Sequence, residues 1–199
     1  MAIRKQDILD RLIEDGNGYL QTADVLRNGV SKQTLARYVQ SHEMKRVGQG
    51  VYAADDAWQD GYYLLYLRNR RIVFSHESAL YLHGMMDREP SATTVTVPEG
   101  YNSSHIAKQR VRVIHVKTPW YGMGVTMVRT AFGHEVPAYD RERTLCDIIR
   151  NKKRMEIQTF RTAMWEYMSG KGKNLGNLMR YAAELGVEDE IRTYTEVML

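Results

Sequence analysis

Residues 31–52 read SKQTLARYVQSHEMKRVGQGVY. Ser31 suits a helix N-cap, because its hydroxyl accepts from the unsatisfied amides of a first turn. Leu35 and Val39 recur four apart, the spacing at which a helix buries one stripe. At about 100° per residue, Leu35, Tyr38, Val39 and His42 crowd onto one side. Gln33, Arg37 and Gln40 fall opposite, with Thr34 and Ser41 beside them. That outer face offers guanidinium and amide groups and has neither a large apolar residue nor a carboxylate. Residues 44–47 and 51–52 then bracket Gly48-Gln49-Gly50, as short strands bracket a glycine turn. A polar-faced helix followed at once by a basic hairpin predicts the recognition helix and wing of a winged helix-turn-helix. A face of Gln, Arg and Ser is equally ordinary on a solvated surface helix, so the neighbouring elements carry the weight.

Upstream, residues 3–15 predict a first helix, with Ile3, Ile8, Leu9, Leu12 and Ile13 as its apolar stripe. Gly16-Asn17-Gly18 ends it, and Tyr19-Leu20 leads to Thr22, read as the cap of a short second helix through Arg27. Asn28-Gly29-Val30 is the tight turn, since Asn and Gly both tolerate left-handed backbone. The expected core joins Ile8, Leu12, Val25, Leu26, Leu35, Val39 and Val51. Charge is polarised along this segment. After position 30 the basic Lys32, Arg37, Lys45 and Arg46 face a single acidic Glu43, whereas the first helix is the more acidic part. The expected partner is therefore duplex DNA. Ser31 and Lys32, with the helix N-terminus, would hold phosphate. Gln33, Thr34, Arg37 and Gln40 would reach base edges, with Ser41 beside them. Lys45, Arg46 and Gln49 would touch the adjacent backbone or minor groove. Tyr38 reads as half-buried support. A module this small covers one half-site, so two copies binding cooperatively on an inverted repeat are expected.

Residues 53–60, AADDAWQD, are short, small and acidic, and place a boundary between residues 1–54 and 55–199. Residues 61–71 predict a helix closed by Arg68, Arg70 and Arg71, cations that suit a helix C-terminus. With Arg110 and Arg112 they would extend the charged track and favour bent DNA. Residues 75–84, SHESALYLHG, predict a capped short helix ending at glycine. Residues 93–97, 111–116 and 125–129 are β-prone, as is 136–139. Residues 140–150, 155–168, 175–185 and 188–198 predict helices. The fold class is thus α+β: an N-terminal winged helix-turn-helix followed by a mixed α+β C-terminal domain.

The stretches RVGQGVYA, FSHESALYLHGMMD and PAYDRERTLCDIIR, in this order across nearly the whole chain, resemble the AbiEi antitoxins of bacterial type IV toxin–antitoxin and phage abortive-infection systems. The resemblance implies an N-terminal domain that binds inverted repeats in its own promoter and represses the operon. It also implies a C-terminal domain that counters a cognate nucleotidyltransferase toxin, AbiEii, without a stable complex. Two other readings stay open: a winged-helix regulator that senses a small ligand, and an enzyme fused to a DNA-binding domain.

The remaining chemistry is sparse. With 43% hydrophobic and 26% charged residues, the 199-residue chain has the balance of a globular protein, and its net charge of +4 permits an anionic partner without demanding one. A single cysteine, Cys146, excludes an internal disulfide and fits a reducing cytoplasm. No apolar run approaches the ~20 residues of a membrane span, and the start lacks the apolar core of a signal peptide. His76-Glu77 begins like HExxH, but Leu80 stands where the second histidine is needed. His76 and His83, seven apart, share a helix face and read as capping or core groups. Cys146 reads as buried and inert. Asp140, Glu142 and Asp147 read as cap and ion-pair partners, Glu142 with Arg143, and Gly122-Met123-Gly124 is too short to cradle phosphate. No enzyme activity, metal or cofactor is expected. Lys152, Lys153, Arg154, Arg161, Lys171 and Lys173 form a basic cluster around a helix start, where positive charge does not help the helix. An acidic partner, such as RNA, a nucleotide or an acidic protein face, is one reading of this cluster beside that of a solvated surface.

Overall fold

The computed structural model describes residues 4–107 and 110–198. Ile3 and the side chain of Arg154 lie outside the described residues. The chain is mixed α+β and divides into two compact units. The first comprises Met1–Arg70 with Arg129–Glu135, and the second Arg71–Val128 with Val136–Leu199. The boundary therefore falls after Arg70 rather than after residue 54, and a distant segment joins the first unit.

In the first unit, α1 (Lys5–Asp15) is followed by β1 (Tyr19–Gln21), α2 (Thr22–Arg27), α3 (Lys32–Ser41), β2 (Lys45–Gly48), β3 (Val51–Ala53) and α4 (Gly61–Arg68). The sheet order is β1-β3-β2, both pairings antiparallel. Alternation sends neighbouring strand residues to opposite faces. Leu20 and Tyr52 pack with Leu9, Val25, Val30, Leu35, Tyr38 and Met44. Tyr19, Val51 and Ala53 pack instead with Leu67, Tyr63 and Leu64 of α4. This second face is why α4 belongs to the first unit.

Several expectations need correction here. Val51 lies in the α4-side cluster, not in the three-helix core, because its pleat position faces away. Leu26 is 44% exposed. Thr22 is the first residue of α2 and not its cap; Gln21 takes that position without a side-chain cap bond. Of the Asn28-Gly29 pair, only Gly29 adopts left-handed backbone (φ +74°). Asn28 Nδ2 instead donates to the Asp24 carbonyl at 2.9 Å.

Residues 129–135 are tied to this unit by a buried carboxylate. Asp60, 1% exposed, caps α4 by accepting from the Tyr63 amide at 3.0 Å. Its other oxygen accepts from Thr130 Oγ1 (2.5 Å) and His134 Nδ1 (2.8 Å). The His134 ring stacks on Tyr63 at 4.0 Å and meets Tyr19 edge-on at 5.3 Å.

In the second unit, β4 (Val73–Phe74), β5 (Thr93–Pro98), β6 (Val111–Val116), β7 (Val125–Arg129) and β8 (Glu135–Tyr139) form a mixed sheet in the order β6-β5-β4-β8-β7. β4 is antiparallel to β5 and parallel to β8, while β5 and β6 are parallel from Thr93↔Val111 to Pro98↔Val116. Around it lie α5 (His76–Leu82), α6 (Ser104–Ala107), α7 (Thr118–Tyr121), α8 (Arg141–Arg150), α9 (Ile157–Ser169), α10 (Leu175–Leu185) and α11 (Glu188–Met198). The stretch 142–149 of α8 is wholly buried, so its polar side chains must find partners inside. Asp140 caps it, accepting from the Arg143 amide at 2.7 Å and from Tyr181 Oη at 3.1 Å. Arg143 pairs with Asp147 at 3.2 Å, not with Glu142, and donates to the Trp120 and Met123 carbonyls. Glu142 accepts from Tyr167 Oη and the Asn174 amide, both at 2.9 Å.

Ser75 does not cap α5 as expected. Its hydroxyl is used by Thr96 Oγ1 (2.9 Å) and His76 Nδ1 (3.1 Å). Asn151 Nδ2 donates to His76 Nε2 at 3.0 Å, and His83 Nε2 donates to the Tyr139 carbonyl at 2.7 Å. Burial pushes both histidines below their ordinary pKa. Cys146 is fully buried, and desolvation, aided by Asp147, pushes its thiol up to about 12. Lys173 Nζ donates to the Met168 carbonyl at the end of α9, while Lys152, Lys153, Arg161 and Lys171 are exposed. Among the described residues no helix is long and apolar enough to cross a membrane, and no three His, Cys, Asp or Glu side chains group to hold a metal.

Candidate nucleic-acid interface

The geometry of α3 follows from its cap and its buried stripe. Ser31 Oγ accepts from the Thr34 amide at 3.2 Å and lies 3.0 Å from Thr34 Oγ1, which fixes the first turn. Leu35 (3% exposed) and Tyr38 (7%) anchor the inner face. Tyr38 Oη donates to Asp10 of α1, and His42 stacks on the Tyr38 ring at 3.8 Å. Burial, then the Asp10 carboxylate, raises the Tyr38 pKa, so the phenol stays neutral and acts as a strut.

With the inner face pinned, the outer one is dictated. Ser31, Lys32, Gln33, Arg37, Gln40 and Ser41 are exposed, and Thr34 is half-buried. Arg37 contributes to the shallow depression between α1 and α3 with Gln6, Thr34 and Ser41. Ser31 and Ser41 are already engaged, Ser41 Oγ donating to the Tyr38 carbonyl at 3.1 Å. The side chains of Lys32, Gln33, Arg37 and Gln40 carry no intrachain hydrogen bond or ion pair among the described residues, so their donors are available to a partner.

The hairpin is less simple. Lys45 is exposed, but its ammonium meets Asp55 at 2.5 Å; this hydrogen bond raises the Lys45 pKa and lowers that of Asp55. Its charge is thus partly matched within the chain. Arg46 and Gln49 are exposed, and Arg46 Nε donates to the Gly48 carbonyl at 3.3 Å. The β2–β3 register slips between Arg46 and Gly48, leaving Val47 unopposed in a bulge. Arg68, from the end of α4, donates through Nε (3.0 Å) and Nη2 to the Val47 carbonyl. Arg70 Nη2 donates to Gln21 Oε1, and its guanidinium lies 4.6 Å over the Tyr66 ring. Arg68 lies in the last turn of α4, where the helix dipole favours a cation, and both side chains also reach other groups, Arg68 onto the hairpin itself. Arg71, Arg110 and Arg112 lie in the second unit, where Arg112 pairs with Glu77 at 2.8 Å.

No family model matches this chain, and no curated protein matches it in sequence. Among solved structures it is similar to the RV2827C protein from Mycobacterium tuberculosis. The TM-score is 0.59 at 13% identity, covering 95% of this chain and 79% of that one. At that identity the likeness concerns the fold alone.

Proposed function

We propose that this chain is a DNA-binding antitoxin of the AbiEi kind, and that its first unit is a winged helix-turn-helix. The observation that carries the DNA reading is the outer face of α3, where Gln33, Arg37 and Gln40 stand exposed and unpaired among the described residues, beside a basic hairpin. The order helix, strand, helix, helix, strand, strand, with β1 closing on β3, supports it. In this reading α3 enters the major groove. Arg37 donates bidentately to guanine, Gln33 and Gln40 pair with adenine edges, and Lys32 neutralises phosphate near the positive end of the helix dipole. Thr34, half-buried, contributes its methyl and hydroxyl at the groove wall. Tyr38 holds α3 against α1. Two copies occupy an inverted repeat in the chain's own promoter, each reading a half-site.

The antidote role follows from the resemblance carried by FSHESALYLHGMMD and PAYDRERTLCDIIR. Much of both stretches forms the buried framework of the second unit, so the surface that opposes a nucleotidyltransferase toxin lies elsewhere on that unit. The exposed Lys152, Lys153, Arg161 and Lys171 are its charged face. The test is co-expression with a nucleotidyltransferase encoded next to this gene. Full-length chain should restore growth, and reversing those four charges should abolish rescue while operator binding persists. A chain that binds its promoter but never rescues growth would leave a repressor without the antitoxin role.

A further inference from the structure

We propose that Arg68 and Arg46 form a preorganised clamp for a DNA phosphodiester on the wing, making the end of α4 part of the nucleic-acid interface. This rests on the duplex-binding reading above and adds a site to it. The guanidiniums are tied to consecutive carbonyls of one β-bulge, Arg68 to Val47 at 3.0 Å and Arg46 to Gly48 at 3.3 Å. With Gln49 they line one open concavity beside the hairpin turn. Neither arginine has a carboxylate partner among the described residues.

The helix dipole alone does not account for the direction of the Arg68 guanidinium, whose donors leave α4 and engage β2. The approach is also built into the backbone. A Cβ at Gly48 would lie 3.3 Å from Arg68 Cγ and 3.5 Å from its Nε, so the bare glycine gives the arginine stem its room. Val47 occupies the Nε and Nη2 side of the guanidinium. The other amino group has no hydrogen-bond partner among the described residues, on a cation already held to a backbone carbonyl. Two such cations with a neighbouring amide suit a tetrahedral oxyanion, and guanidinium forks match phosphate oxygens. A duplex seated on the outer face of α3 carries a chain of these groups past the wing.

The experiment is fluorescence anisotropy of the full chain on its promoter repeat and on a scrambled duplex, across a series of salt concentrations. Arg68→Ala should weaken binding to both duplexes alike, by roughly fivefold at physiological salt, and flatten the log–log salt slope by about one. Arg68→Lys should keep the slope while losing part of the affinity, since it retains charge without the fork. Arg192→Ala, at a paired arginine of the second unit, should change neither. A partly unfolded variant would lose affinity equally at all salts, so the slope separates the clamp from a folding defect. An Arg68→Ala chain with unchanged slope on both duplexes overturns the clamp. A wild-type chain that binds no duplex overturns the reading beneath it.

Discussion

Replacing His134 by alanine should destabilise the first unit severely, although the residue lies some seventy positions from its main partner in sequence. His134 is 5% exposed, donates to Asp60 Oδ2 at 2.8 Å, and stacks on Tyr63 at 4.0 Å. Removing it deletes a hydrogen bond to a buried carboxylate, a contribution of about 1.5–3 kcal/mol. It also leaves a ring-sized cavity between Tyr19 and Tyr63. Thr130 Oγ1 and the Tyr63 amide still hold Asp60, which limits the electrostatic part. A net loss of about 3 kcal/mol is expected, which in a unit of this size lowers Tm by roughly 12–24 °C. Scanning calorimetry of the full chain measures it directly, and His134→Asn, which keeps a donor, should recover part of the loss. A fall of less than about 4 °C for His134→Ala would show that residues 129–135 are not part of the first unit's cooperative core. The same reasoning says that a fragment ending at residue 54 lacks α4 and fails to fold.

Other expectations follow from individual contacts. Arg37→Ala should leave thermal stability within about 0.5 kcal/mol, because the side chain has no partner among the described residues, yet cost about 1–3 kcal/mol on the promoter repeat and little on scrambled duplex. Equal losses on both would remove its reader role. Asp55→Asn frees the Lys45 ammonium and should tighten binding to every duplex, most at low salt; unchanged affinity would mean that Lys45 contacts no phosphate. Cys146 should resist thiol reagents at pH 8 in the native chain and react once denatured, as buried thiols do; rapid native labelling would contradict the packing around α8. His76 is held neutral by burial, below its ordinary value of 6.5, so the unfolded chain binds more protons there. Its contribution to stability is present above pH 6.5 and is lost as pH falls towards its folded value. His76→Asn tolerates the left-handed backbone at this position (φ +51°) and should flatten the Tm profile below pH 6.5; an unchanged profile would refute the assignment.

What the sequence showed, and what it hid, divides by the range of the interaction. The Ser31 cap, the Leu35 and Tyr38 stripe and the strands at 93–98 and 111–116 are local patterns, and each appears as an element. β1 and β4 are three and two residues long, too short for alternation to register; they exist because β3, β5 and β8 pair with them. Val25 and Leu26 both looked like core, but α2 spans six residues and buries only Val25. The membership of Thr130 and His134 in the first unit depends on Asp60, and no local window reveals it. The ten candidate DNA-binding residues were named from helix geometry and the basic hairpin that follows, and nine of them are exposed, with Thr34 half-buried. Arg68 stood out in the sequence as a helix-end cation and as part of an extended DNA track, but its contact with the Val47 carbonyl was not legible there. One signal pointed to it: Gly48 in the middle of a strand pattern, which marks a bulge or a close approach.

The central claim is that the unpaired outer face of α3 reads duplex sequence. Its most direct measurement is the ratio of affinities of the full chain for the inverted repeat expected in its own promoter and for a scrambled duplex of equal length and composition, at about 0.15 M salt. The account predicts a preference of roughly a thousandfold or more, reduced by at least about fivefold in Arg37→Ala. Equal affinity for the two duplexes, or no binding to either, would contradict it.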